Sequence, residues 1–182
     1  MQPIKHLARV LATLARDDPT LFTLTDLRAA LPEHSAGAFR ALVMRAEHEG
    51  LLMRVCRGLY RYPAAGSHDG LVLFHAAARL RAGAFNYISL ESALSEAGVI
   101  SQLPMNHVTL MSSGRTATLS CGAFGAMEFV QTKKRPAELA DQLLYDARCH
   151  LWRAAVPLAL RDMKATRRNL DLVQWEVVDD VV

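Results

Sequence analysis

Residues 35–63 read SAGAFRALVMRAEHEGLLMRVCRGLYRYP, and the first third of the fold turns on them. Ser35 is a helix cap by type. Apolar residues then recur at helical spacing, and Glu49-Gly50 supplies the glycine that commonly ends a helix. On a wheel of 100° per residue with Phe39 at zero, Leu42, Val43 and Ala46 fall within about 60° of it and form a buried face. Gly37, Arg40, Ala41, Met44, Arg45 and His48 take the opposite side. After the helix, Leu51–Val55 and Leu59–Tyr62 read as two strands about a tight turn at Cys56-Arg57-Gly58, where Gly58 can take positive φ. Arg54, Arg57 and Arg61 make this hairpin basic, and Tyr60 and Tyr62 add aromatics with polar tips.

A helix followed by a basic hairpin is the local pattern of a winged helix-turn-helix, recognition helix first and wing second. The expected DNA contacts are Ser35, Gly37, Arg40, Ala41, Met44 and Arg45 on the helix, with Arg54, Arg57 and Arg61 on the wing. Small residues let a helix end approach a duplex, and its free N–H groups favour phosphate. Arginine can read guanine bidentately, and a basic wing tip can lie along phosphate or in the minor groove. The alternative is a solvated surface helix, with Glu47 and Glu49 pairing the arginines.

Around this stretch the pattern continues. Ile4, Leu7, Leu11 and Leu14 share a stripe on a helix over residues 3–16, started by Pro3 and stopped by Asp17-Asp18-Pro19. Leu21–Leu24 is a short β-compatible run placed to pair with the wing. Thr25 then caps a second helix, Asp26–Leu31, before Pro32. Residues 1–65 hold nine basic side chains against six acidic, residues 66–135 six against four, and residues 136–182 six against eight. The positive surplus therefore sits at the N-terminal end. The net charge of +3 is too small to argue for nucleic acid by itself.

Ala64-Ala65-Gly66-Ser67-His68 reads as a linker, which gives a domain 1–65 and a second domain 66–182. In the second, a helix capped by Asp69 runs through Arg81 with Leu73, Ala76, Ala77 and Leu80 on one face. Phe85–Ile88 is strand-like, and Ser89 opens a helix closed by Gly98. Strands His107–Met111, Thr116–Cys121 and Ala126–Thr132 form an antiparallel meander flanked by helices. Lys133-Lys134-Arg135 leads into a long helix, Ala137–Ala155, with Leu139, Leu143, Ala147, Leu151 and Ala154 on its stripe. Pro157 kinks or divides it, and another helix follows to about Arg168. The fold class expected is α+β, a winged helix-turn-helix followed by a domain with a small antiparallel sheet.

The remaining composition narrows the function classes. A 51% hydrophobic share with 21% charged residues allows a packed core over most of the 182 residues. Cys56, Cys121 and Cys149 lack CxxC or finger spacing, which argues against a disulfide framework or structural zinc site. Cys121 reads as a buried strand residue, although His75 or His107 could approach it in space. Asp141 and Asp146 read as the surface of the long helix. There is no P-loop, GxGxxG, HExxH or GxSxG motif, so an enzyme is not expected, nor a cofactor or metal. No leader is visible and no apolar run nears the roughly 20 residues that span a bilayer, so a soluble cytoplasmic protein is expected.

Four segments in order carry a resemblance: RGLYRYP (57–63), YISLESALSEAGVI (87–100), VTLMSSGRTATLSCGAFGAMEFVQ (108–131) and RPAELADQLLYD (135–146). Together they resemble the AbiEi family of type IV antitoxins from abortive-infection systems, over about residues 20–145. Tyr87-Ile88-Ser89-Leu90-Glu91-Ser92-Ala93-Leu94 is the most specific match. Pro136-Ala137-Glu138-Leu139-Ala140-Asp141 is looser, since Ala137 separates a proline–glutamate pair usual in the family.

The resemblance implies a winged helix that binds an operator, expected as an inverted repeat in double-stranded DNA, and represses its own operon. It also implies a C-terminal domain that counteracts a nucleotidyltransferase-like toxin without a stable complex, in phage defence. Lys133, Lys134 and Arg135 are the candidate anion or antitoxicity site; a solvated charge run is the plainer reading. The other function class is a winged-helix protein-interaction adaptor, or an orphan regulator with no toxin.

Overall fold

Pro3 sits in the first turn of helix α1 (Pro3–Leu14), where a missing N–H leaves no intrahelical bond unmade. The computed structural model describes residues 2–15, 21–66, 70–101 and 106–181. Expectations resting on Arg16, Asp17-Asp18-Pro19, Ser67-His68 and the Asp69 cap lie outside the described residues. The chain divides into two compact units, Met1–Gly70 and Leu71–Val182, against a boundary expected after residue 65.

In the first unit Leu7 and Leu11 of α1 are fully buried, whereas Leu14, expected on the same stripe, is largely exposed. Strand β1 (Leu21–Thr23) leads directly into α2 (Leu24–Ala30). The cap of α2 is Thr23 rather than Thr25. Asp26 N donates to Thr23 Oγ1 at 3.1 Å, and Thr23 N donates to Asp26 Oδ2 at 2.7 Å, closing a reciprocal box. Helix α3 (Ala36–His48) is capped by Ser35, whose Oγ accepts from Ala38 N at 3.2 Å. Its buried residues are Phe39, Leu42, Val43 and Ala46, the face the wheel assigns. Burying each large side chain contributes about 1.5–3 kcal/mol. These residues join Leu7, Leu11, Phe22, Leu27, Leu31 and Leu52 in one core cluster.

The wing is β2 (Met53–Cys56) and β3 (Leu59–Arg61), closed by Arg57-Gly58 with Gly58 at φ 80°. A register shift between Arg54 and Cys56 bulges β2. In sheet order β1-β3-β2, β3 is central. That position explains a correction: Tyr60, Arg61 and Tyr62 are 7%, 3% and 8% exposed, so none of them faces outward. Burial raises the Tyr60 phenol pKa above its ordinary value, with Glu47 adding to the shift. Arg61 Nη2 donates to Gly66 O at 3.1 Å and fixes the strand to the chain just beyond the 3-10 turn Pro63–Ala65.

The second unit holds α4 (Val72–Leu80), β4 (Asn86–Ile88), α5 (Leu90–Glu96), β5 (His107–Ser112), β6 (Ala117–Ser120) and β7 (Ala126–Gln131). It continues with α6 (Pro136–Leu139), β8 (Leu143–Asp146), β9 (Leu151–Ala154), α7 (Val156–Ala165) and α8 (Trp175–Val181). Its sheet is six-stranded and mixed, in order β6-β7-β5-β4-β9-β8, and not the expected three-stranded antiparallel meander. β6 takes the outer position, so β7 returns between it and β5 and runs parallel to β5. β4 pairs antiparallel with β5 and parallel with β9. Helix α5 packs on β5 and α7, and α4 packs on β5 and β7.

The helix expected over residues 137–155 is the largest misreading. Arg135 N donates to Glu138 Oε2 at 2.6 Å and starts α6, which lasts four residues before a 3-10 turn. Asp146 Oδ1 then accepts from Arg148 N at 3.0 Å, and His150 turns at φ 55°. The result is the β8–β9 hairpin, so Asp146 is a strand residue and not on a helix surface. Pro157 is in the first turn of α7 and kinks nothing.

The YISLESAL segment serves this core. Tyr87 Oη and Ser89 Oγ donate to Asp162 Oδ2 at 2.9 and 2.8 Å, and Lys134 Nζ donates to Asp162 Oδ1 at 2.8 Å. Ser92 Oγ accepts from Thr109 N at 2.8 Å. Ser89 holds the N-cap position of α5, but its side chain bonds Asp162 and makes no cap hydrogen bond. Burial and the neighbouring Asp162 raise the Tyr87 phenol pKa well above its ordinary value.

Candidate nucleic-acid interface

Helix α3 has one buried face, and the residues opposite it have no role in the core. Ser35, Gly37, Arg40, Ala41, Met44, Arg45 and His48 are all exposed. Met44 is 70% exposed. A Cβ added to Gly37 meets nothing within 4 Å, so no internal packing demands a glycine there. His48 extends the same face one turn further. The wheel already places it there, although its side chain is not among the expected contacts.

The arginines differ in what holds them. Arg45 Nε donates to Glu49 Oε1 at 2.7 Å, the pairing that the solvated-helix alternative foresees. Both side chains are exposed, so the pair contributes a few tenths of a kcal/mol and opens readily for another anion. Arg40, Arg54 and Arg57 are exposed and form no ion pair among the described residues. Arg57 sits at the wing turn beside Gly58, whose carbonyl accepts from Leu24 N at 3.1 Å and fixes the turn to the start of α2. Met53, 45% exposed beside Arg54, adds an apolar group that composition-led reading of the wing overlooks. Arg61 is inside the sheet and leaves the candidate surface.

The three expected wing contacts thus become two, Arg54 and Arg57, while the five expected on α3 share its exposed side and Ser35, also exposed, caps its start. Among the described residues the arrangement offers hydrogen-bonding cations, an apolar ridge and a helix start without acidic residues in its first turn. That chemistry suits a polyanion with a partly apolar surface.

The Lys133-Lys134-Arg135 run is a different kind of place. Lys134 is bound to the buried Asp162 carboxylate, and Arg135 lies 3.6 Å from Glu138 on its own helix. Lys133 is exposed. The run is therefore mostly engaged with its own chain.

Residues 9–63 match the family described as "Transcriptional regulator, AbiEi antitoxin". The match runs from the second half of α1 through the wing, whereas the segments that carried the resemblance in the second unit lie beyond it. No curated protein matches the chain significantly. Among solved structures, the chain is similar to the RV2827C protein from Mycobacterium tuberculosis, with a TM-score of 0.56 at 20% identity over 90% of this chain and 61% of that one. The chain thus spans about three-fifths of the length of that protein, and the likeness establishes the fold. Residues 9–63, which fold as a winged helix, are thus similar to the AbiEi antitoxin family of transcriptional regulators.

Proposed function

We propose that the first unit binds an operator in double-stranded DNA, an inverted repeat upstream of its own gene, and represses that operon in the cytoplasm. The observation that carries this reading is the α3 face without a core role, Gly37-Arg40-Ala41-Met44-Arg45, in the segment that matches a family of transcriptional regulators. The second unit provides the antitoxin activity against a nucleotidyltransferase-like toxin, without a stable complex. Support for that half is the family-like YISLESAL segment, together with the antitoxin description of the family that the first unit matches.

A mobility-shift titration of the full chain on its own upstream DNA tests the first half. The expected result is retardation that weakens steeply with salt, because each neutralised phosphate releases counterions. Coexpression with the reading frame next to its gene tests the second, growth rescue being the expected outcome. A stable stoichiometric protein partner with no DNA retardation would instead favour an interaction adaptor, for which exposed Met44 and Met53 would be anchors.

A further inference from the structure

On the α3 wheel the buried residues centre near the Phe39–Ala46 line, and Gly37, Ala41, Met44 and His48 lie roughly opposite it. Arg40 and Arg45 lie about 70° to either side of that ridge. The central strip of the exposed face therefore holds no arginine, lysine or carboxylate, with one guanidinium on each flank. A helix is about 10–12 Å across and the major groove about 12 Å wide. When such a helix enters the groove, the strip opposite the core meets the base edges, and groups about 70° away meet the two backbones.

We propose that Met44, with Ala41 beside it, reads thymine 5-methyl groups on the groove floor, while Arg40 and Arg45 hold the phosphates of the opposite walls. This rests on the DNA-binding reading above and reverses the expectation that the arginines read guanine. Three observations converge. Met44 projects 70% exposed from the middle of the ridge with no partner in the core. Gly37 and Ala41 leave the N-terminal part of the strip low, and nothing inside the unit needs the missing Cβ of Gly37. Arg45 is already aligned along its flank by Glu49. Apolar side chains recognise the thymine methyl by contact, whereas phosphate contact carries no sequence information. The site read is therefore rich in A·T pairs at its core.

The test selects duplexes from a random pool with the full chain at fixed salt, then replaces selected thymines one at a time by deoxyuridine, which removes only the methyl. The expected result is a loss of about three- to five-fold at each contacted thymine, the scale of one buried methyl. Met44→Ala, at an exposed position the fold does not need, equalises the thymine and deoxyuridine duplexes at one of these positions. Arg40→Ala weakens binding to every duplex alike and leaves the methyl effect intact. Equal affinity of the wild type for thymine and deoxyuridine duplexes overturns the proposal, as does a guanine preference that Arg40→Ala abolishes. Retained duplexes with no enriched sequence overturn the readout but leave DNA binding standing. No retained duplex at any salt overturns DNA binding with it.

Discussion

In the first unit Arg40, Arg54 and Arg57 reach into solvent, whereas in the second Arg81, Arg148, Arg153 and Arg168 turn back onto the unit that carries them. Arg81 donates to Ser112 Oγ at 3.0 Å and to Arg115 O at 2.7 Å, and stacks 4.0 Å from the Phe129 ring centre. Arg148 and Arg153 share Asp146 and Glu96. Arg168 joins Glu91 and Glu128. Burial raises the pKa of the Glu128 carboxyl, but Arg168 and His107 outweigh that and hold it below its ordinary value. Net charge separates the units only weakly; these particular arginines differ in whether they have an internal partner, while Arg45 and Arg61 of the first unit do have one and Lys133 of the second is exposed. A cation without one is available to a polyanion, and a cation with one is part of the fold.

The largest break in this contrast is Lys134→Met. It strands the Asp162 carboxylate, 1% exposed, without its cation. The expected cost is roughly 2–4 kcal/mol, toward the lower end of buried-pair values because Lys134 is partly exposed. Urea denaturation measures it, and Lys134→Met/Asp162→Asn should recover part of the loss. An unchanged midpoint for the single variant would show that Lys134 is not structural.

Arg57→Ala should do the reverse. Stability stays within about 0.5 kcal/mol, while affinity falls for all duplexes alike and the salt slope drops by about one. Titrations at several salt concentrations measure both.

A pH effect belongs to the second unit. Hydrogen bonds from Arg148, and then from Arg153, hold the Asp146 carboxyl well below the usual carboxylate range despite its burial. A depressed folded pKa contributes stability that is present above the unfolded value of about 4 and is lost as pH falls toward the folded one. Amide protection factors in the β8–β9 hairpin, which correct for the intrinsic pH dependence of exchange, should therefore fall progressively below about pH 4, with no matching change between pH 5 and 8. Protection factors indifferent to acid would show that the carboxylate does not stabilise the hairpin.

Smallest is Gly37→Ala, which fills open space in a regular helical turn. It should raise stability by about 0.5–1 kcal/mol. Weaker DNA binding together with that gain would sharpen the contrast between what the fold needs and what the surface needs.

Legibility followed the same division. The two faces of α3 could be read directly, since a 3.6-residue period separates Phe39, Leu42, Val43 and Ala46 from their opposites without help from distant chain. The wing turn could be read from Gly58. Arg61 could not, because its burial depends on β1 covering β3 from the other side, a pairing 40 residues away in sequence. The β8–β9 hairpin was hidden by a coincidence: Leu143, Leu151 and Ala154 fit a helical stripe as well as two strands. Tyr145 and Trp152, adjacent across the strands at 5.3 Å, were the β-type signal, with Asp146 and Arg148 forming the turn. The parallel pairing of β5 with β7 has no local signature, since β6 takes the sheet's outer position and only the completed sheet fixes that order. Lys134 looked like surface charge because its partner, Asp162, lies on a helix 28 residues later.

The central claim is that the exposed side of α3 and the wing turn hold DNA. Its most direct measurement compares the wild-type chain with Arg40→Ala/Arg45→Ala/Arg57→Ala on one selected duplex across a salt series. The substitutions touch only exposed side chains, and unchanged urea midpoints would verify that the fold is intact. A large loss of affinity and a shallower salt dependence are expected, by about one unit of slope for each phosphate contact removed. Unchanged affinity and slope in a folded triple variant would contradict that claim.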